Sequence, residues 1–117
     1  MSDLIERYLS VWNEDDPAAR RTKLAEHWAE DVTLVDPLVQ VKGRDAIEAT
    51  IAGVREQFPG LVFTPVGTVD AHHDVARFRW GLGPADAEPL AIGFDVVTLD
   101  AEGRIASVVG FFDKLPV

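Results

Sequence analysis

The sequence predicts an α+β domain in which helices come first and the main strands follow. Before Gly60, apolar residues recur at helical spacing, and after Gly60, β-branched and aromatic residues gather in short runs separated by turns. Pro59-Gly60 divides the two halves, and this segregation is typical of α+β folds. A chain of 117 residues without repeats or low-complexity linkers suits a single domain over residues 1–117.

An amphipathic stripe near the start predicts the first helix. Its members lie at i, i+1, i+4, i+5 and i+8 and are Leu4, Ile5, Tyr8, Leu9 and Trp12. Asp16-Pro17 then supplies an N-cap and a first helical position for a second helix that extends to about Trp28. On that helix we expect the inward-facing residues to be Leu24, His27 and Trp28. The outward-facing residues should be Arg20, Arg21 and Lys23.

A short strand from Val32 to Asp36 follows and ends at an Asp-Pro step. Because Pro37 disfavours the helical region for the residue before it, Asp36 should be extended, with its carboxylate at the rim of an apolar strand. After Gly43, a third helix over residues 44–57 is predicted by one apolar stripe, which consists of Ile47, Ile51, Val54 and Phe58.

Four further strands complete the predicted chain. They cover residues 61–70, 75–82, 90–99 and 104–113, and the turns between them are short or moderate. Such connections favour an antiparallel meander. A curved antiparallel sheet with three helices on its concave side would enclose a conical cavity suited to a small hydrophobic ligand.

Composition excludes several classes of function. A net charge of −9 argues against nucleic acid or an anionic membrane as a partner, because phosphate binding needs a basic surface. The chain has no cysteine and no zinc, phosphate-loop, serine-hydrolase or dinucleotide motif, so we expect neither a metal nor a cofactor. No signal-peptide segment opens the chain and no apolar run approaches the roughly 20 residues of a membrane span, which predicts a cytoplasmic protein.

Several segments together resemble one superfamily. They are Tyr8 in the first helix, HWAEDVTLVDP, KGRDAI, and the four strands that end in VVGFFD. In this combination the chain resembles, nearly from end to end, the nuclear transport factor 2-like superfamily, and within it the SnoaL-like and ketosteroid isomerase-like branch. The resemblance implies a cone-shaped, cystatin-like α+β fold. That fold hosts isomerases, cyclases, hydrolases and plain binding modules, so function must be argued from the site.

The resemblance also implies three catalytic residues. Asp36, in the Asp-Pro step after the first strand, corresponds to the general base, and Tyr8 in the first helix corresponds to an oxyanion donor. Asp95, in IGFDVVTLDAEG, corresponds to a protonated carboxyl that acts as the second donor. In that chemistry the base removes the α-proton of a ketone while two O–H groups stabilise the enolate.

Ligand contacts are expected from large apolar side chains of the predicted cavity: Trp12, Trp28, Leu38, Phe58, Phe78 and Trp80. An ungapped match to the family would turn Arg77 and Arg79 into the cavity, whereas a shift of one residue would turn Phe78 and Trp80 inward. We expect the shifted register, because unpaired arginines in an apolar pocket are costly.

Each candidate also has a purely structural interpretation. Tyr8 is predicted to be buried, and a buried tyrosine needs a hydrogen-bond partner whether or not it is catalytic. Asp95 shares a strand face with Gly93 and Val97. Only if that face is the concave one do we expect Asp95 to have a functional role. His27 is expected to pack between helices, and His72 and His73 to lie in a solvated turn. The limonene epoxide hydrolase-like branch is a poor match, because Arg77-Phe-Arg79-Trp lacks the aspartate of its strand motif.

Two hypotheses follow for the function. The first is a cofactor-free enzyme that moves a proton on a hydrophobic carbonyl compound such as a steroid or polyketide. The second is a non-catalytic domain of the same fold that binds a small apolar molecule or serves in dimerisation. The resemblance, together with apolar residues such as Phe94 and Val96, predicts a homodimer formed through the outer face of the sheet.

Overall fold

The computed structural model describes residues 2–115 as three helices and one six-stranded sheet. The helices are α1 (Ser2–Trp12), α2 (Pro17–His27) and α3 (Arg44–Gln57). The strands are β1 (Trp28–Val35), β2 (Gln40–Lys42), β3 (Val62–His72), β4 (Val75–Gly83), β5 (Ala91–Leu99) and β6 (Ile105–Lys114). The strand order β2-β1-β6-β5-β4-β3 gives the predicted α+β fold, with the helices packed on the sheet.

The sheet is mixed, which corrects the antiparallel sheet expected from the sequence. Strands β3 to β6 form the predicted antiparallel meander. Strand β1, however, runs parallel to β6, and β2, which was not predicted, pairs with β1. The parallel pair joins two strands from opposite ends of the chain, so no local pattern of residues could reveal it.

The boundary between the second helix and the first strand also differs from the prediction. Helix α2 ends at His27, and Trp28 is already extended, with φ −121° and ψ 139°, although its N–H still donates to the carbonyl of Leu24. Strand β1 therefore begins four residues earlier than expected. It is irregular between Trp28 and Thr33, which hides the strict alternation by which a strand is recognised.

Helix α2 begins as predicted, but one of its outward residues is buried. Asp16 caps the helix by accepting the N–H of Ala19 at 2.9 Å. Arg20 is 4% exposed, with its Nη2 3.2 Å from Oε1 of Glu48 on α3. The prediction for Arg20 is therefore wrong, because a partner on another helix allows this charge to be buried. His27 is half-buried and lies beside the exposed Glu26.

The register of β4 is the one expected from the cost of burying arginine. Phe78 is 2% exposed on the inner face. Arg77 and Arg79 point outward, where they pair with Asp70 at 3.1 Å and Asp113 at 3.2 Å. The tight turn before β4 has His73 at φ 52°, a conformation that histidine tolerates better than most residues.

The core lies between the inner face of the sheet and the helices. Its largest fully buried side chains come from every layer and include Leu4, Tyr8, Leu24, Trp28, Leu34, Ile47, Ile51 and Phe78. In residues 2–115, no helix is both long and apolar enough to cross a membrane.

Candidate active site

A cavity of about 360 Å³ opens between the inner face of the sheet and helices α1 and α3. Seven of the residues singled out from the sequence line it: Tyr8, Trp12, Asp36, Leu38, Phe58, Trp80 and Asp95. Its volume is within the range of small-molecule sites in proteins. The three candidate catalytic residues thus face one space.

Trp28 and Phe78 were expected to contact the ligand, but they do not line this cavity. Trp28 is 0% exposed, and its ring is stacked on that of Tyr8 with centroids 5.4 Å apart. Phe78 meets the same tyrosine ring edge-on at 5.0 Å. Both residues lie behind Tyr8 and fix its orientation. Alternation in the sequence identifies the buried side of an element but not the depth of a side chain.

Asp95 is the centre of a buried hydrogen-bond cluster on β5. The Tyr8 hydroxyl donates to Oδ2 of Asp95 at 2.6 Å, and the Trp80 indole N–H donates to the same oxygen at 3.0 Å. Asp95 itself is 5% exposed. The face that it shares with Gly93 and Val97 is the concave one, so the structure meets the condition that the sequence left open.

Burial changes the titration of this cluster. Desolvation raises the pKa of Asp95 from 3.8 to about 6; the bonds from Tyr8 and Trp80 act in the opposite direction, and the negative charge of Asp36 adds to the rise. Burial, assisted by the charge of Asp95, raises the pKa of Tyr8 well above its usual value of 10.0. Tyr8 therefore keeps its proton and remains a donor throughout the physiological range.

Asp36 stands at the rim of the cavity, directly after β1. Its Oδ1 accepts the backbone N–H groups of Leu38 at 2.8 Å and Val39 at 2.9 Å, which forms a turn around Pro37. The side chain is half-buried, and Oδ2 takes no part in these two bonds. The turn thus holds the carboxylate in one orientation while one oxygen stays available to a ligand.

Gly110 on β6 lies beside both aspartates. A Cβ at this position would be 2.6 Å from Oδ1 of Asp95 and 3.4 Å from Cβ of Asp36. A side chain there would collide with the carboxyl group of Asp95, so glycine permits this group to approach β6 closely. Gly110 was not among the residues predicted from the sequence, although an isolated glycine inside a strand is a recognisable sign of such an approach.

The remaining walls of the cavity are mostly apolar. Strand and helix residues that complete them include Leu34, Ala49, Gly53, Val54, Phe63, Leu82 and Phe112. In such surroundings, interactions between charges and dipoles are much stronger than in water. A small number of polar groups set in an apolar wall is the usual composition of a site that orients a small hydrophobic ligand.

The chain belongs to the SnoaL-like domain family, whose family model matches residues 5–108. A steroid Δ-isomerase from Nocardioides simplex is 33% identical over 113 residues, which cover 92% of this chain and 85% of that protein. The crystal structure of a SnoaL-like family protein from Agrobacterium tumefaciens str. C58 is 44% identical, with a TM-score of 0.89 and 95% of each chain covered.

A more distant structure shows the wider fold. An NTF2-like protein from Exiguobacterium sp. 255-15 is 21% identical and matches with a TM-score of 0.74 over 93% of this chain and 97% of that one. The family and the fold expected from the sequence are therefore confirmed.

Proposed function

We propose that the protein is a cofactor-independent isomerase that moves a proton on a hydrophobic carbonyl compound such as a steroid or polyketide. The observation that carries the proposal is that Asp36, Tyr8 and Asp95 face one apolar cavity, with Gly110 beside both aspartates. The steroid Δ-isomerase that is 33% identical to this chain supports the same class of reaction.

The proposed reaction needs one base and two donors. The carbonyl oxygen of the substrate lies beside Tyr8 and Asp95, and its acidic C–H bond faces Asp36. Asp36 removes the α-proton and the electron pair moves onto the carbonyl oxygen. The Tyr8 hydroxyl, which bonds to Oδ2 of Asp95 in the empty site, turns its proton to that oxygen, and together with the O–H of Asp95 it stabilises the enolate. Asp36 then returns the proton to another carbon of the conjugated system, so that no atom or electron is gained or lost.

Asp95 must be neutral to donate. With a pKa of about 6, it is ionised in most molecules of the empty protein at pH 7. Protonation at that pH costs about 1.4 kcal/mol, since one pKa unit corresponds to that free energy. A single hydrogen bond to a developing oxyanion is worth about 3 kcal/mol, so the donor role repays this cost.

The test is an ultraviolet assay in which a β,γ-unsaturated ketosteroid is converted to its conjugated enone. We expect conversion by the wild type and a loss of about 10²- to 10⁴-fold in kcat in Asp36→Asn, which removes the base. Asp86→Asn is the matched control, because it makes the same change of charge in an exposed loop. Absence of conversion by the wild type would refute steroid isomerisation, and equal rates in wild type and Asp36→Asn would refute Asp36 as the base.

A second candidate function is non-catalytic binding of a small apolar molecule. It is favoured by the apolar walls and by the ionised state of Asp95 in the empty site at neutral pH. This alternative predicts that a steroid quenches the fluorescence of Trp12 and Trp80, which line the cavity, without any turnover. Turnover in the assay above would refute it.

We also propose a homodimer formed through the outer face of the sheet. Two apolar cross-strand pairs on that face carry the proposal: Phe94 beside Phe111, and Val96 beside Val109. Phe111 is 56% exposed and Val109 41%, so a second copy would remove them from water. Light scattering should give twice the chain mass of 12.8 kDa for the wild type. For Phe111→Asp it should give the mass of a single chain. A monomeric wild type would refute this assembly.

A further inference from the structure

We infer that Trp80, seated across Gly93, determines which oxygen of Asp95 carries the proton and thereby directs that acid toward Asp36. The inference rests on the donor role proposed for Asp95. It makes Trp80 a positioning residue rather than only a wall of the cavity.

The two oxygens of Asp95 have different surroundings. Oδ2 receives both hydrogen bonds, from Tyr8 at 2.6 Å and from the Trp80 indole at 3.0 Å. An indole N–H is a donor and cannot accept, so Oδ2 must supply a lone pair to it. A proton on Oδ1 leaves the indole bond intact, whereas a proton on Oδ2 would compete with it. Neutral Asp95 is therefore protonated on Oδ1.

Oδ1 lies on the side of the carboxyl group that faces Gly110. A Cβ at Gly110 would be 2.6 Å from this oxygen and 3.4 Å from Cβ of Asp36. An O–H group on Oδ1 thus lies on the side of Asp95 where the candidate base stands. A carbonyl oxygen bound there has its neighbouring carbons within reach of that base, which is the geometry that proton transfer requires.

Gly93 makes the position of the indole possible. Gly93 is the cross-strand partner of Trp80, and a Cβ there would be 2.0 Å from Cζ2 and 2.2 Å from Cε2 of the indole. The ring therefore lies directly over the glycine. Phe63 and Phe112 meet the indole edge-on, with centroids 5.1 and 6.4 Å away. The glycine and the two rings confine the N–H to one direction.

Apart from the indole bond of Trp80, few charged or titratable groups act on Asp95. Tyr8 faces it from α1, and Asp36 faces it from the end of β1. On the neighbouring strands, β4 contributes the uncharged Trp80 and β6 contributes Gly110. The indole bond favours the ionised carboxyl, so its loss should raise the pH at which Asp95 titrates.

The experiment is a pH titration of the protein followed by ¹H–¹⁵N NMR, in which the three tryptophans give three indole signals. We expect the Trp80 signal to move with a midpoint near pH 6, the pKa of Asp95, and this movement to disappear in Asp95→Asn. In Gly93→Ala the Trp80 signal should persist but lose its response. Gly53→Ala is the matched control: the added methyl group meets no described atom within 4 Å, and the response should be retained.

A Trp80 signal that does not move near pH 6, or that moves equally in Asp95→Asn, would overturn the inference. If Gly93→Ala does not fold, Trp80→Phe replaces it. In that variant the pH above which kcat/KM falls should rise by about one unit, since a charge-assisted hydrogen bond is lost; an unchanged profile would contradict the inference. The NMR titration uses no substrate, so its outcome is independent of whether steroids are isomerised.

Discussion

Asp36 and Asp95 are the same residue type, but they lie in different surroundings within one cavity. Asp36 is half-buried at the rim, and backbone N–H groups of the following turn hold one of its oxygens. Asp95 is 5% exposed, and side chains from α1 and β4 hold one of its oxygens. Desolvation raises the pKa of Asp95 to about 6, despite two hydrogen bonds that act in the opposite direction.

The surroundings of a carboxyl group, rather than the residue type, set how readily it gives up its proton. Asp36 is half-buried at the rim, where the following turn holds one of its oxygens. The interior makes the charge on Asp95 costly, so that this group is the one that carries a proton at mildly acidic pH. In the proposed reaction, Asp36 takes a proton from the ligand and Asp95 donates a hydrogen bond to it.

Among variants that keep both aspartates, the largest effect is expected from Tyr8→Phe, which removes one of the two proposed donors and, in the empty site, its bond to Asp95. We expect kcat for the ketosteroid to fall by about 10²- to 10³-fold, as for the loss of one oxyanion donor elsewhere. The ring itself stays packed against Trp28 and Phe78, so circular dichroism should be unchanged. A fall of less than tenfold would show that the hydroxyl is only a structural partner of Asp95.

Asp95→Asn should stabilise the protein at neutral pH. Because the pKa of Asp95 is higher in the folded protein (about 6) than its ordinary value of 3.8, protonation contributes stability that is complete below pH 4 and is lost as the pH rises through 6. The neutral amide of asparagine does not lose stability in this way as the pH rises. Denaturant unfolding should show an advantage of up to about 3 kcal/mol at pH 8 and none at pH 4.

The control for this comparison is Asp86→Asn, an identical substitution at an exposed site. Its stability relative to the wild type should be the same at both pH values. If Asp95→Asn shows no advantage at pH 8, the charge of Asp95 is not destabilising, and the contrast with Asp36 disappears.

The pH profile of turnover gives the next smaller effect. Because neutral Asp95 is the proposed donor, kcat/KM should fall about tenfold for each pH unit above 6. The fall should be absent in Asp95→Asn, which has no proton to lose at this position. A wild-type profile that is flat from pH 5 to pH 8 would contradict the donor role.

The smallest effect concerns the opposite wall of the cavity. Gly53 lies inside α3, where a Cβ would meet no described atom within 4 Å. Gly53→Ala should stabilise the helix by about 1 kcal/mol and raise Tm by about 4 °C, while neither aspartate is disturbed. Scanning calorimetry measures this shift; a lower Tm would mean that the helical wall is as tightly packed as the strand at Gly93.

Much of the placement of the two aspartates was visible in the sequence, because it depends on local patterns. Alternation placed Asp95 on the face of Gly93 and Val97, and the Asp-Pro step placed Asp36 at the end of the first strand. The cost of burying arginine gave the correct register of β4. Each of these predictions needs no more than the neighbours of a residue along the chain.

What could not be predicted depends on distant parts of the chain. The parallel pairing of β1 with β6 joins residues about 75 positions apart, and Arg20 is buried against Glu48 of another helix. The bond from Trp80 to Asp95 requires the pairing of β4 with β5 and a glycine beneath the indole. Such contacts follow from the assembled sheet, so they have no local signal.

The most direct test of the contrast is a ¹³C NMR titration of the aspartate side-chain carboxyl groups, assigned with Asp36→Asn and Asp95→Asn. We expect the signal lost in Asp95→Asn to have a midpoint near pH 6, and this midpoint to fall in Asp36→Asn, because the neighbouring negative charge is removed. A midpoint for Asp95 at its ordinary value near 3.8, unaffected by Asp36→Asn, would contradict this expectation.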